Sequence, residues 1–165
     1  MRLLVATIVL CCAIPMASAK DPYKYQLKSD WPLGSTRMMD AGAKSPIPFD
    51  KPYGALTPEQ QARIKANYEA MGAGDEPPYP LDGTKGLFTQ LMKASDYLRE
   101  YGELRIVVDV DAAGSATAAH VFSTPGKPTS DFMSAVLLKE RYKPALCAGT
   151  PCPQQFLFAV GWTKK

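Results

Sequence analysis

His120 is the only imidazole in the chain, and the groups that could work with it lie nearby in sequence: Asp109, Asp111, Ser115, Ser123 and Ser130. A histidine held between a carboxylate and a hydroxyl can act as the general base of a small hydrolase. No nucleophile-elbow motif accompanies these residues, and a lone strand histidine is more often structural or solvent-facing. Asp109 and Asp111 alternate with Val108 and Val110, so on a strand they share a face. They read as a paired acid and base, or as the solvated side of an amphipathic strand, and the second reading carries more weight.

Cys147 and Cys152 form the second chemically capable pair, separated by Ala-Gly-Thr-Pro. A metal site would need more ligands than the vicinity offers. A redox C-x-x-C motif wants a shorter spacing at a helix start, and this one lies beside prolines. A structural disulfide is the expected state, provided the chain leaves the cytoplasm. There is no phosphate-cradling Gly loop, metal-ligand cluster or aromatic ladder for nucleic acid, so no cofactor is expected.

Export is what the N-terminus predicts. Arg2 precedes an almost wholly apolar run over residues 3–16, and Ala17-Ser18-Ala19 is a small-x-small cleavage site. The run falls short of the ~20 residues that span a bilayer, which favours a cleaved signal over an anchor. Residues 1–19 are therefore expected to be a signal peptide, and their removal takes Cys11 and Cys12 with it. The periplasm or the exterior is the expected location, with no membrane span after cleavage. A formal net charge of +3 over 165 residues, without a Lys/Arg patch, gives no basis for nucleic-acid binding.

The elements that must position these groups fall into three stretches. Residues 20–56 are rich in proline and carry scattered aromatics, among them Tyr23, Tyr25, Trp31, Phe49 and Tyr53. Residues that precede proline avoid helical dihedrals, so this is an extended arm, either laid on the domain by its aromatics or ordering on a partner. Residues 57–82 hold a short helix and a stiff connector: Thr57-Pro58 with Gln60 is a capping box, and Gly72 is the expected stop. Residues 83–165 form the main domain. It opens with a helix expected from Gly83 to Tyr101, with Asp82 as its cap and Gly102 as its stop. Its apolar stripe is Leu87, Leu91, Ala94 and Leu98.

A strand follows, with Leu104, Ile106, Val108 and Val110 inward and Arg105, Val107, Asp109 and Asp111 outward. A turn at Gly114 leads to a return strand over residues 116–123. Thr129 or Ser130 is expected to cap the next helix, whose apolar face would be Phe132, Ala135, Val136 and Leu138. The last strand, residues 156–162, is apolar on both faces and therefore expected to be interior.

Residues 102–162 resemble the C-terminal domain of the TonB family. The matching residues are Val107-Val108-Asp109-Val110-Asp111, Gly114, Val121, residues 123–126, the helix that follows, Tyr142-Lys143-Pro144-Ala145, Gly149 and the apolar residues of the last strand. Roughly a third of the chain is covered. The resemblance implies an α+β fold, with a three-stranded antiparallel sheet in the order strand–strand–helix–strand packed on helices. It also implies that an extended peptide is bound along the last strand, at Phe156, Leu157, Phe158, Ala159 and Val160. An energy transducer of that family keeps an uncleaved membrane helix and a long Pro/Lys/Glu-rich span. This chain departs from that pattern, so energy transduction is not implied.

Together these readings give an exported, non-catalytic TonB-like binding or adaptor protein. Its expected partner is an envelope or outer-membrane protein reached by strand addition, or a second copy forming a homodimer through the same edge. The alternatives are a structural envelope or cell-wall protein and, behind it, a small hydrolase using His120 or a true energy transducer.

Overall fold

The computed structural model of the protein describes residues 23–28, 37–39 and 42–163. The expected signal peptide and Trp31 lie outside them. The fold is α+β, and at its centre is a three-stranded antiparallel sheet. Strand β4 (Gly102–Val110) lies in the middle, between β5 (Ala116–Ser123) and β9 (Gln154–Trp162). Two three-residue strands, β1 (Arg37–Met39) and β2 (Gly42–Lys44), extend the sheet beyond β9, giving the order β2-β1-β9-β4-β5. The apolar last strand is therefore interior, between β4 and β1. Among the described residues, the parallel pairing with β1 involves Gly161 and Trp162.

Alternation decides the inner face. Leu104, Ile106, Val108 and Val110 of β4 and Phe156, Phe158, Val160 and Trp162 of β9 are all buried. They share one core with Leu87 and Leu91 of α2 (Lys85–Leu98) and with Met133 and Leu137 of α3 (Lys127–Lys139). Val107, expected to face outward to solvent, is buried as well, so the outer face of the sheet is not simply a wet surface.

The helix ends differ from expectation, each for a long-range reason. Helix α1 (Pro58–Lys65) has its capping box, with Thr57 Oγ1 accepting from Gln60 N and Gln60 Oε1 accepting from Thr57 N. It stops at Lys65, well before Gly72. Beyond that point the main chain bonds the arm: Lys28 N donates to Asn67 O (3.0 Å) and Glu69 N to Gln26 O (2.8 Å). Those bonds satisfy groups that another helical turn would have used.

Helix α2 begins at Lys85, not Gly83, and Asp82 is not its cap. The Phe49 carbonyl accepts from Lys85 N at 2.8 Å, while the Phe49 ring packs on Phe88 with centroids 4.5 Å apart. The helix ends where Arg99 turns left-handed (φ 56°), and Gly102 is already the first residue of β4.

In α3, Thr129 and Ser130 lie buried in the first turn instead of capping it, and Gly126 is the N-cap. The buried face is Thr129, Ser130, Met133 and Leu137, which leaves Phe132 and Leu138 on the exposed side. The connector contributes β3 (Tyr79–Pro80), which pairs with β6 (Tyr142–Lys143). A last hairpin joins β7 (Ala145–Cys147) to β8 (Thr150–Cys152). Of the arm, Tyr25, Tyr53 and Leu56 are buried, and Tyr53 and Leu56 belong to the core.

Candidate functional site

The β4–β5 register sets His120 opposite Val107 on the outer face and diagonal to Asp109. His120 Nε2 lies 2.9 Å from Asp109 Oδ2. Gln155 of β9, directly opposite Asp109, donates its Nε2 to the other carboxylate oxygen at 3.0 Å. Burial pushes the Asp109 carboxyl up, but hydrogen bonds from His120, Gln155 and Tyr23 outweigh it and hold the group below the usual carboxylate range. Asp109 is therefore anionic at neutral pH and can only accept, so the neutral imidazole carries its proton on Nε2 and leaves Nδ1 as its acceptor.

The rest of the hydrolase constellation does not assemble. Ser123 Oγ donates to Glu103 O and Ser130 Oγ to Lys127 O, the latter nearly fully buried in α3. Ser115 sits in the β4–β5 turn, where its N–H donates to Asp111 Oδ1 at 2.8 Å. That carboxylate also accepts from Ala113 N at 2.9 Å. Asp111 thus shapes a turn and does not pair with Asp109. The outer face holds an imidazole–carboxylate pair that the Tyr23 side chain also bonds, while the Ser123 and Ser130 hydroxyls bond elsewhere.

Cys147 and Cys152 are joined by a disulfide. They are not adjacent partners in the hairpin: Cys147 is opposite Thr150 and Cys152 opposite Ala145. The turn between them meets a buried carboxylate, Asp75, which sequence reasoning missed. Asp75 accepts from Ala148 N (2.7 Å), Gly72 N (2.8 Å) and the Tyr25 hydroxyl, with Lys24 Nζ 3.6 Å away. Led by the Tyr25 hydrogen bond, these donors hold its carboxyl well below the usual range. Nothing local marks Asp75, because its donors come from three separate parts of the chain.

Main-chain direction along the sheet decides which edges are open. Tyr68 donates its hydroxyl to Gln155 O at 2.6 Å, so Gln155 turns its carbonyl away from β4. By alternation Leu157, Ala159 and Gly161 do the same, while Phe156, Phe158 and Val160 bond β4 and bury their side chains in the core. Of the five residues expected along a binding edge, Leu157 and Ala159 therefore turn their main chain outward. Their stretch is bounded by Tyr68 at one end and by β1 at the other.

The same alternation carried through β4 directs Asp109 and Val107 toward β5, and Thr117 Oγ1 duly donates to Asp109 O. His120 and Ala118 then bond β4, and Ala119 and Val121 present N–H and C=O groups outward. Among the described residues, strand β5 ends the sheet. Its Phe122 is 68% exposed and its Val121 44% exposed.

No protein-family model matches the chain, and no curated protein matches it significantly.

Proposed function

We propose that the protein is an exported, TonB-like binding protein of the cell envelope, which accepts an extended peptide segment of an envelope or outer-membrane partner along the open edge of its sheet and catalyses no reaction. The observation that carries this reading is the character of β5. It is an eight-residue terminal strand whose only ionisable side chain is His120, and it exposes Val121 and Phe122. Natural edge strands are usually guarded by lysine, proline or a covering element. An unguarded one supports strand addition, with main-chain bonds supplying affinity and side-chain contacts supplying selectivity. Register irregularities flank residues 118–121, which limits the regular pairing to a short segment whose outward-facing residues are Ala119 and Val121. The family resemblance favours β9 as the receiving strand, whereas its partial coverage favours β5. The disulfide fits an oxidising compartment.

The test is site-specific photo-crosslinking in intact envelopes from position 122 and, separately, from position 157. Adducts from position 122 that vanish with Ala119→Pro support the β5 edge. That substitution removes an outward N–H and no bond to β4, so the fold should persist. Adducts from position 157 alone would move the site to β9. Adducts indifferent to Ala119→Pro in a folded variant would end the β5 reading.

A structural role in the envelope is the second reading. It is favoured by the pairing of β1 onto β9, where the chain supplies its own added strand.

A further inference from the structure

The disulfide hairpin and the N-terminal arm meet at one carboxylate. The turn between β7 and β8 is Ala148-Gly149, and both residues are left-handed (φ 51° and 82°). Glycine takes that conformation freely, but alanine does not, because its Cβ crowds the following carbonyl. Hairpins of this type favour Asn-Gly or Asp-Gly, so the strands, of three residues each, are not sustained by their turn sequence. The Cys147–Cys152 bond closes the loop around the strained residue.

Held this way, Ala148 directs its N–H at Asp75 Oδ1, 2.7 Å away. The second oxygen of Asp75 takes the Tyr25 hydroxyl, and the residue is 6% exposed. Tyr25 is itself buried and anchors residues 23–28, which also bond Asn67 and Glu69. One residue before Lys24, Tyr23 reaches Asp109 on the outer sheet face, beside His120. A continuous line of contacts therefore runs from the disulfide through Ala148, Asp75 and Tyr25 to the arm and the outer face.

The geometry points to a redox latch: reduction of Cys147–Cys152 by a dithiol releases the Ala148 turn from Asp75 and undocks residues 23–28 from the domain. In the exchange a thiolate of the dithiol attacks one cysteine sulfur, and the Cys147–Cys152 bond breaks. A mixed disulfide forms and is resolved by the second thiol of the donor. Two electrons and two protons pass to the cysteines, and the donor leaves as a disulfide. Both cysteines are half-buried and residues 148–151 between them are exposed, so the hairpin tip is open to the approach of a dithiol. The change is local, because Leu146 and Glu76 keep a reciprocal pair of main-chain bonds, 2.9 Å each, at the base of the hairpin.

Hydrogen exchange of the purified protein, oxidised and then treated with dithiothreitol, tests the latch, with alkylation and mass measurement counting the free thiols. The expected result is exchange at least tenfold faster at the Lys28 and Glu69 amides, with β4 and β9 amides changed less than twofold. The Cys147→Ser/Cys152→Ser double variant should show the same exchange without reductant. Asp75→Asn, with the disulfide intact, should also reproduce it. Unchanged Lys28 and Glu69 exchange in fully reduced protein overturns the latch. So does acceleration of the β4 and β9 amides together with the arm, which would make the disulfide a global staple. Failure of the dithiol to reduce the bond without denaturant overturns it as well.

Discussion

The Glu100 carboxylate accepts hydrogen bonds from both the main-chain N–H (3.0 Å) and the hydroxyl (2.5 Å) of Thr129, a residue 29 positions away. It is the missing cap of α3. The N-cap position is Gly126, which has no side chain to offer, and the carboxylate of a distant turn satisfies the helix start instead. A Cβ placed on Gly126 would come within 2.0 Å of Glu100 Oε1, so the glycine is what admits the carboxylate. Glu100→Ala should cost about 1–2 kcal/mol, the range for loss of a helix cap. Gly126→Ser should be harmful alone and milder in the Glu100→Ala background, where the space is vacant. Urea denaturation of the two single variants and the double variant measures this coupling, and additive costs would refute it.

That relationship also shows what a sequence can and cannot disclose here. The inward residues of β4, the capping box at Thr57 and Gln60, and the strand–strand–helix–strand order are legible because each rests on local spacing. Gly102 as a helix stop and Thr129 as a cap fail for one reason: the groups that settle those ends belong to other elements. Arg99 adopts the left-handed turn at the end of α2, and Glu100 is thereby directed to α3. The Asp109–His120 contact could be suspected from alternation. Gln155 and Tyr23 could not, because their arrival depends on β9 register and on the path of the arm. Gln155 did leave a weak signal, as a polar residue just before the apolar run of residues 156–162.

Gly114 should tolerate no side chain. It has φ +81°, and a Cβ there would sit 2.1 Å from the Tyr142 carbonyl oxygen. Its own carbonyl accepts from Tyr142 N at 3.0 Å, so the β4–β5 turn and β6 approach each other main chain to main chain. Gly114→Ala combines left-handed strain with a steric collision, and about 2 kcal/mol or more is expected. A denaturation midpoint equal to that of the parent protein would show that the turn can move aside.

Trp162 closes the core at the end of β9. Its indole N–H donates to Ser95 Oγ (2.7 Å) and Glu100 O (3.0 Å). Trp162→Phe keeps most of the apolar bulk but leaves buried acceptors with fewer donors. Ser95 still bonds Glu100 O, so part of the network survives. A loss of about 1–3 kcal/mol is expected. The variant Ser95→Ala should cost less in the Trp162→Phe background than in the parent, a difference read by a double-mutant cycle.

Asp75 predicts an acid-sensitive arm. Its folded-state pKa is depressed below the unfolded value of about 3.9, so the carboxylate's contribution is fully present above that value. As pH falls below about 4, the unfolded state takes up the proton while the folded state resists it. The contribution then shrinks, and it disappears as pH passes the folded value. Asp75→Asn lacks this titration. The difference in urea midpoint between the parent protein and Asp75→Asn should therefore stay level from pH 7 to about pH 5 and narrow steadily below about pH 4. The Lys28 and Glu69 amides should lose protection over the same acid range in the parent protein. A midpoint difference as large at pH ~3 as at neutral pH would mean that the donors around Asp75 do not distinguish its charged form, and the acid dependence would have to be sought at Asp109 instead.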